Sequence, residues 1–122
     1  MGIESYHLGL LGEDEASEYL LRKGYKIVGR NFRSSQGEID IIAYNGETLV
    51  FIEVKSYSGR SYLTPLGAIL KNKKNSIIHA AKYYLYKNKI KNVNCRFDVL
   101  AIYRYFNETS EIELIKGAFD AC

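Results

Sequence analysis

Cysteine is scarce in this sequence: Cys95 and Cys122 lie far apart, and no Cys-x-x-Cys pair exists. Neither a zinc site nor a disulfide framework is therefore indicated, and a reducing, intracellular compartment is expected. Apolar runs are no longer than a strand, which excludes a transmembrane helix. Glu4, Glu13, Asp14 and Glu15 all precede the first Lys or Arg, the opposite of a secretory signal. Tyr6 stands where a myristoylation motif needs Ser or Thr. The expected location is the cytoplasm, with no membrane partner. No Gly-x-Ser-x-Gly nucleophile elbow and no glycine-rich phosphate loop occur. His79 has no second His, Cys or acid at ligand spacing, so it and His7 read as structural. No repeat, low-complexity tract or linker divides the chain, and residues 1–122 read as a single domain.

What is present is an ordinary globular composition, 47% hydrophobic and 25% charged, which excludes wholesale disorder. The net charge of +3 is too small to argue for nucleic-acid binding by itself. Its distribution says more. Residues 1–20 hold five acids and no Lys or Arg, whereas residues 71–104 hold nine Lys/Arg against one acid, Asp98. Such segregation gives a folded surface a positive region that a phosphate backbone can use, although a solvated helix face accounts for the run equally well.

Residues 5–23 have helical spacing: Gly9, Gly12, Glu13, Ala16 and Leu20 fall on one face, and Gly24 is a natural stop. Glu13 is the odd member, because a carboxylate on a packing face must be paired, protonated or functional. Tyr25–Phe32 reads as a strand, and Gly37 opens a second, Glu38–Tyr44, rich in β-branched residues. Asn45-Gly46 is a strong hairpin signal, since both central positions of a type I′ turn need φ > 0, and a third strand follows over Thr48–Lys55. Ser56–Leu63 is polar and reads as a loop. Thr64-Pro65 supplies an N-cap and a first-turn proline for a helical region reaching about residue 88, with Ile77, Ile78, Ala81 and Leu85 as its core stripe. Cys95–Tyr103 and Glu111–Lys116 read as the fourth and fifth strands. The order predicts an α/β fold with one central mixed five-stranded sheet flanked by helices, because a helix between strands favours a crossover connection.

A two-residue loop at Asn45-Gly46 pairs Tyr44 with Glu47, which sets Asp40 opposite Phe51 and Glu38 opposite Glu53. Cross-strand partners share a face, as do strand residues two apart. Glu38, Asp40, Glu53 and Lys55 then project from one side of the sheet, and Ile39, Ile41, Ala43, Val50, Ile52 and Val54 from the other. Asp40 and Glu53 become diagonal neighbours about 7–8 Å apart at Cα, from which two carboxylates can converge on an oxygen-liganded ion such as Mg2+. Clustered carboxylates repel one another and are costly to desolvate. A divalent cation removes that cost, acidifies water and neutralises charge growing on a phosphoryl oxygen. Lys55 is placed to orient the attacking water or to stabilise the transition state. The plain alternative is an amphipathic hairpin with a wet, salt-bridged polar face.

The strings Gly12-Glu13…Ala16…Tyr19-Leu20…Gly24-Tyr25, Arg30-Asn31-Phe32-Arg33, Gly37-Glu38-Ile39-Asp40-Ile41-Ile42 and Phe51-Ile52-Glu53-Val54-Lys55 together resemble the bacterial YraN family. Pro65, Lys73, Ala81…Leu85, Arg96-Phe97-Asp98-Val99 and Gly117-Ala118-Phe119 continue the match over nearly the whole chain. That family is similar to archaeal Holliday-junction resolvases within the PD-(D/E)XK nuclease superfamily. The resemblance implies a restriction-endonuclease-like three-layer fold and a Mg2+- or Mn2+-dependent endonuclease acting on DNA, structured or branched. By position it implies Asp40 and Glu53 as metal ligands together with the carbonyl of Val54. It implies Lys55 as the motif lysine, and Glu13 as an extra acid brought from the first helix. The residue before Asp40 is Ile39 rather than proline, a departure that touches the motif's appearance more than its chemistry. One active site per domain would require a twofold homodimer to cut both strands. The alternative on the same fold is a non-catalytic nucleic-acid-binding or adaptor module that uses the basic 71–104 region.

Lys71, Lys73, Lys74 and Arg33 are the candidate nucleic-acid contacts. For Lys73 a resemblance to other nucleases suggests a phosphate contact, and a solvated helix lysine is equally compatible. Glu38 is either an auxiliary ligand or a partner of Arg33 or Arg30. The run Lys82-Tyr83-Tyr84-Leu85-Tyr86-Lys87 interleaves bases with aromatics, a pattern that stacks on nucleobases but more often marks half-buried core or interface residues. Asp98 fits a structural salt bridge better than a partner contact.

Overall fold

The computed structural model describes residues 2–58 and 71–119, with side chains described for residues 12–58 and 73–119. Helix α1 (Gly2–Arg22) leads into β1 (Lys26–Ser34), β2 (Gly37–Asn45) and β3 (Thr48–Ser58). Helix α2 (Lys71–Lys87), β4 (Cys95–Arg104) and β5 (Ser110–Phe119) follow. The strands form one sheet in sequence order, with β3 and β4 parallel and every other pair antiparallel. Parallel neighbours cannot be joined by a tight turn, and α2 lies in the crossover between them. The proposed helix start at Thr64-Pro65 lies outside the described residues.

Each helix buries its apolar stripe on a different face of the sheet. Ala16 and Leu20 of α1 pack with Ile41, Ala43, Val50, Ile52, Leu100 and Ile102. Ile77, Ala80 and Ala81 of α2 pack with Ile39, Ile42, Leu49, Phe51 and Phe97. Leu49 through Ile52 are buried without a break, the pattern of a strand covered on both sides. The result is a three-layer, restriction-endonuclease-like α/β fold. Both faces being apolar also disposes of a hairpin with one wet face.

Local chemistry sets the helix ends. The Tyr25 N–H donates to the Leu20 carbonyl (2.9 Å) and the Gly24 N–H to that of Leu21 (3.1 Å), a Schellman closure in which Gly24 takes φ +90°. Helix α2 ends the same way, with Ile90 bonded to Leu85 (3.0 Å) and Lys89 to Tyr86 (3.2 Å), but with Lys89 at the left-handed position (φ 54°). Gly37 is needed for contact: a Cβ there would stand 2.3 Å from the Ser76 carbonyl oxygen, so α2 rests on the backbone of β2.

Three sequence expectations are corrected. The hairpin pairs Asn45 with Thr48 and Ile41 with Ile52, so the loop is Gly46-Glu47 rather than Asn45-Gly46. Of those two residues only Gly46 has positive φ (+63°), the dihedral pattern of a type II′ turn rather than type I′. The slip is two residues, an even number, so side-chain faces over Ile41–Asn45 are preserved while every partner changes. Strand β3 runs to Ser58 instead of stopping at Lys55, because Ser56, Tyr57 and Ser58 pair with Ile102, Tyr103 and Arg104 of β4. Strand β5 runs to Phe119 through an irregularity at Gly117 (φ +62°), whose N–H donates to Asp98 Oδ1 at 3.0 Å. Asp98 is 1% exposed and held by Arg96 at 2.9 Å, the structural ion pair its sequence context suggested.

Candidate active site

The β2–β3 ladder stops at Ile41 and Ile52. Asp40 and Glu53 lie just past its end, with their carboxyl groups close enough to interact. The Val54 N–H donates to Asp40 Oδ2 at 2.8 Å, so the side chain replaces a main-chain acceptor and wedges between the strands. The distortion carries into β1, where Asn31, between the partners of Ile41 and Ile39, has φ 52°. As a consequence Ile39 packs with Ile42 on the α2 side instead of joining Ile41 on the α1 side, a further correction to the expected faces.

Glu53 is 6% exposed. Its Oε1 lies 3.5 Å from Lys55 Nζ and 3.7 Å from Lys73 Nζ, while its buried Oε2 has no donor among the described residues other than the Asp40 carboxyl when that is protonated. Asp40 has its carboxyl pushed up to about 7, first by burial and then by the Glu53 carboxylate; the Val54 N–H and Lys73 oppose the rise. Glu13 reaches the same region from α1. The helix comes close to β3 there: a Cβ on Gly12 would meet Ser56 Oγ at 2.7 Å. Burial raises the Glu13 carboxyl, against a hydrogen bond from Asn31; Asp40 raises it further, and Arg30 works the other way. Arg30 Nη2 is 3.6 Å from Glu13 Oε2 and 2.9 Å from Asp14 Oδ1.

Five of the anticipated residues thus meet: Glu13, Asp40, Glu53, Lys55 and, from α2, Lys73. Val54 belongs with them through its bond to Asp40. Among the described residues no three His, Cys, Asp or Glu side chains are gathered closely enough to grip an ion as they stand. The pair Asp40 and Glu53 is nevertheless an all-oxygen donor set with one buried oxygen that no cation among the described residues engages. That chemistry fits a hard divalent cation completed by a main-chain carbonyl and water. Glu38 does not join; it pairs with Arg33 at 3.3 Å on the exposed hairpin. Lys74 sits over the Phe119 ring at 5.9 Å, and the Lys71 side chain lies outside the described residues. Asn31 and the Arg30–Glu13 contact went unnoticed in the sequence. The available signal was Asn31 itself, because asparagine is among the few residues that tolerate positive φ.

Among the described residues no helix is long and apolar enough to cross a membrane. A family model described as "Uncharacterised protein family UPF0102" matches residues 12–102, a span that contains every residue of the site. Similar proteins include a UPF0102 protein of Caldicellulosiruptor saccharolyticus, 43% identical over 92% of this chain and 96% of its own length. One from Clostridium kluyveri is 43% identical over 92% and 93%. Another, from Geobacter sulfurreducens, is 42% identical over 98% and 96%.

Proposed function

The chain belongs to the uncharacterised protein family UPF0102, a description that assigns no chemistry, and from the site itself we propose a metal-dependent endonuclease that hydrolyses phosphodiester bonds of structured or branched DNA. The observation that carries the proposal is the carboxyl pair Asp40 and Glu53. One member has its carboxyl pushed up to about 7, and the other keeps a buried oxygen that no cation among the described residues engages. Two such carboxylates repel each other and are poorly solvated, an arrangement that a bound cation relieves.

A Mg2+ or Mn2+ held by Asp40, Glu53 and the Val54 carbonyl would supply Lewis acidity and offset charge developing on a phosphodiester. The protein's own groups do the rest. Lys55 and Lys73 orient the Glu53 carboxylate from two elements, and both ammonium groups remain donors for an anionic phosphate oxygen. Glu13, with Arg30 as counter-ion, offers an oxygen beside Asp40 that can hold a water or take its proton. A twofold homodimer would bring two such sites to two strands.

The test is cleavage of a labelled four-way junction, a matched duplex and a single strand with Mn2+. Wild type should cut at least one of them, Asp40→Ala should cut none, and Lys55→Ala should lose on the order of a hundredfold or more in rate. A folded wild-type protein that binds Mn2+ yet cuts nothing would sink the nuclease and favour the non-catalytic module.

A further inference from the structure

The tyrosine-rich run on α2 divides into two kinds of residue. Tyr84 turns inward, its ring edge-on to Phe32 (5.2 Å) and Phe51 (6.0 Å). Tyr83 and Tyr86 turn outward, 45% and 81% exposed. Three residues apart on a helix, they are neighbours on one surface. Tyr83 is backed by Phe32, with centroids 6.0 Å apart and planes inclined at 32°. Two cavities meet at these residues. One, of about 530 Å³, lies between the β1–β2 turn and α2 and is lined by Arg33, His79, Tyr83 and Lys87 among others. The other, of about 800 Å³, is lined by Tyr83, Tyr86, Lys87, Ile90 and Lys91 among others. Tyr83 and Lys87 line both, so they stand where the two hollows adjoin.

The charge around these hollows has one sign. From Lys71 to Phe97 the sequence contains no Asp or Glu, and Glu38 on the neighbouring hairpin is engaged by Arg33. Exposed rings separated by cations form a surface on which bases stack while phosphates are neutralised, and duplex DNA, whose bases are already stacked, cannot use the rings. The rings stand on the same helix as Lys73, which contacts Glu53. Lys73 precedes Tyr83 by ten residues, about 15 Å along the helix axis. Tyr83 is turned about 80° from Lys73 around that axis, so a strand reaching both would have to bend around the helix.

We propose that the surface of α2 around Tyr83, Tyr86 and Lys87 is a stacking platform for single-stranded DNA. It grips an unpaired arm of the substrate away from the strand presented to Asp40 and Glu53, a role that rests on the nuclease assignment above. The substrate class is therefore DNA that carries a single-stranded arm.

Anisotropy of a labelled oligothymidine and of a blunt duplex, recorded in EDTA, reads the platform without cleavage. Wild type should prefer the oligothymidine. Tyr83→Ala and Tyr86→Ala should each weaken binding by about tenfold, whereas Tyr83→Phe and Tyr86→Phe should retain it. Tyr86 makes so little contact that its replacement leaves folding intact. Unchanged binding by Tyr86→Ala, or equal affinity for the blunt duplex, would overturn the proposal. So would a wild-type dimer that Tyr86→Ala dissolves without altering DNA affinity. The two assignments fail separately. Tyrosine-dependent binding without any Mn2+-dependent cutting removes the nuclease and leaves the platform; Asp40-dependent cutting with tyrosine-independent binding does the reverse.

Discussion

Asp40 is pulled two ways. Its bond from the Val54 N–H favours the ionised form, while burial and the neighbouring Glu53 favour the neutral one, and the latter pair wins. An aspartate in the unfolded chain titrates near ~3.9, well below the value of about 7 in the fold. Between those points the folded state keeps a proton that the unfolded state has released. Stability contributed here therefore falls as pH rises through that window, and the cost is complete above pH ~7. Asp40→Asn retains an acceptor for Val54 and removes the charge. It is expected to be nearly neutral at pH ~4 and to stabilise the protein by about 1–3 kcal/mol at pH ~8 in EDTA. Urea unfolding at the two pH values checks this; equal shifts at both would show that charge is not the source. The identities Asp40, Glu53, Lys55 and Glu13 were legible in the sequence because strand parity and a misfit acid on an apolar helix face are local signals. The wedge was not. It depends on a ladder ending where a side chain takes over a main-chain bond, and on Asn31 yielding in a third strand.

At the level of elements, type and order could be read from the sequence, whereas ends and register could not. Ser56, Tyr57 and Ser58 look like loop residues until β4 supplies partners, and nothing near them announces strand residues so much later in the chain. The hairpin register turned on whether Asn45 or Gly46 opens the loop, a choice of turn type that the dipeptide alone leaves open. Gly37 shows the opposite case, a contact invisible in the sequence that controls element placement. Gly37→Ala would drive a methyl group into the Ser76 carbonyl, and α2 would have to lift from β2. We expect a loss of about 2 kcal/mol or more. Lys73 would also be drawn away from Glu53, so cleavage should drop further than stability accounts for. Urea unfolding and single-turnover cleavage of the same variant separate the two effects, and wild-type values in both would refute the contact.

For the molecule as a whole, the separation of charge along the sequence becomes a separation across layers. Asp14 and Glu15 of α1, engaged by Arg30 and Arg104, lie on one side of the sheet, and the acid-free α2 lies on the other. The carboxylate pair sits in the sheet between them and couples metal to global stability. Mn2+ at a hundredfold excess over its dissociation constant should add about 2.7 kcal/mol, or a rise of about 10 °C in the thermal midpoint for a domain this size. Asp40→Ala should abolish the rise, and a rise that survives the substitution would place the cation elsewhere. The parallel pairing of β3 with β4 also bears on how the chain is made. Leu49 finds its partner only at Cys95, so a growing chain carries a finished β1–β2–β3 meander whose last strand is bare along one edge and apolar on both faces. At synthesis rates of ~5–20 residues per second, that edge waits roughly 2–9 s for cover. Ribosomal pausing between these strands is thus a greater hazard to the protein than pausing after β4, and nascent chains arrested there should be the ones that chaperones retain.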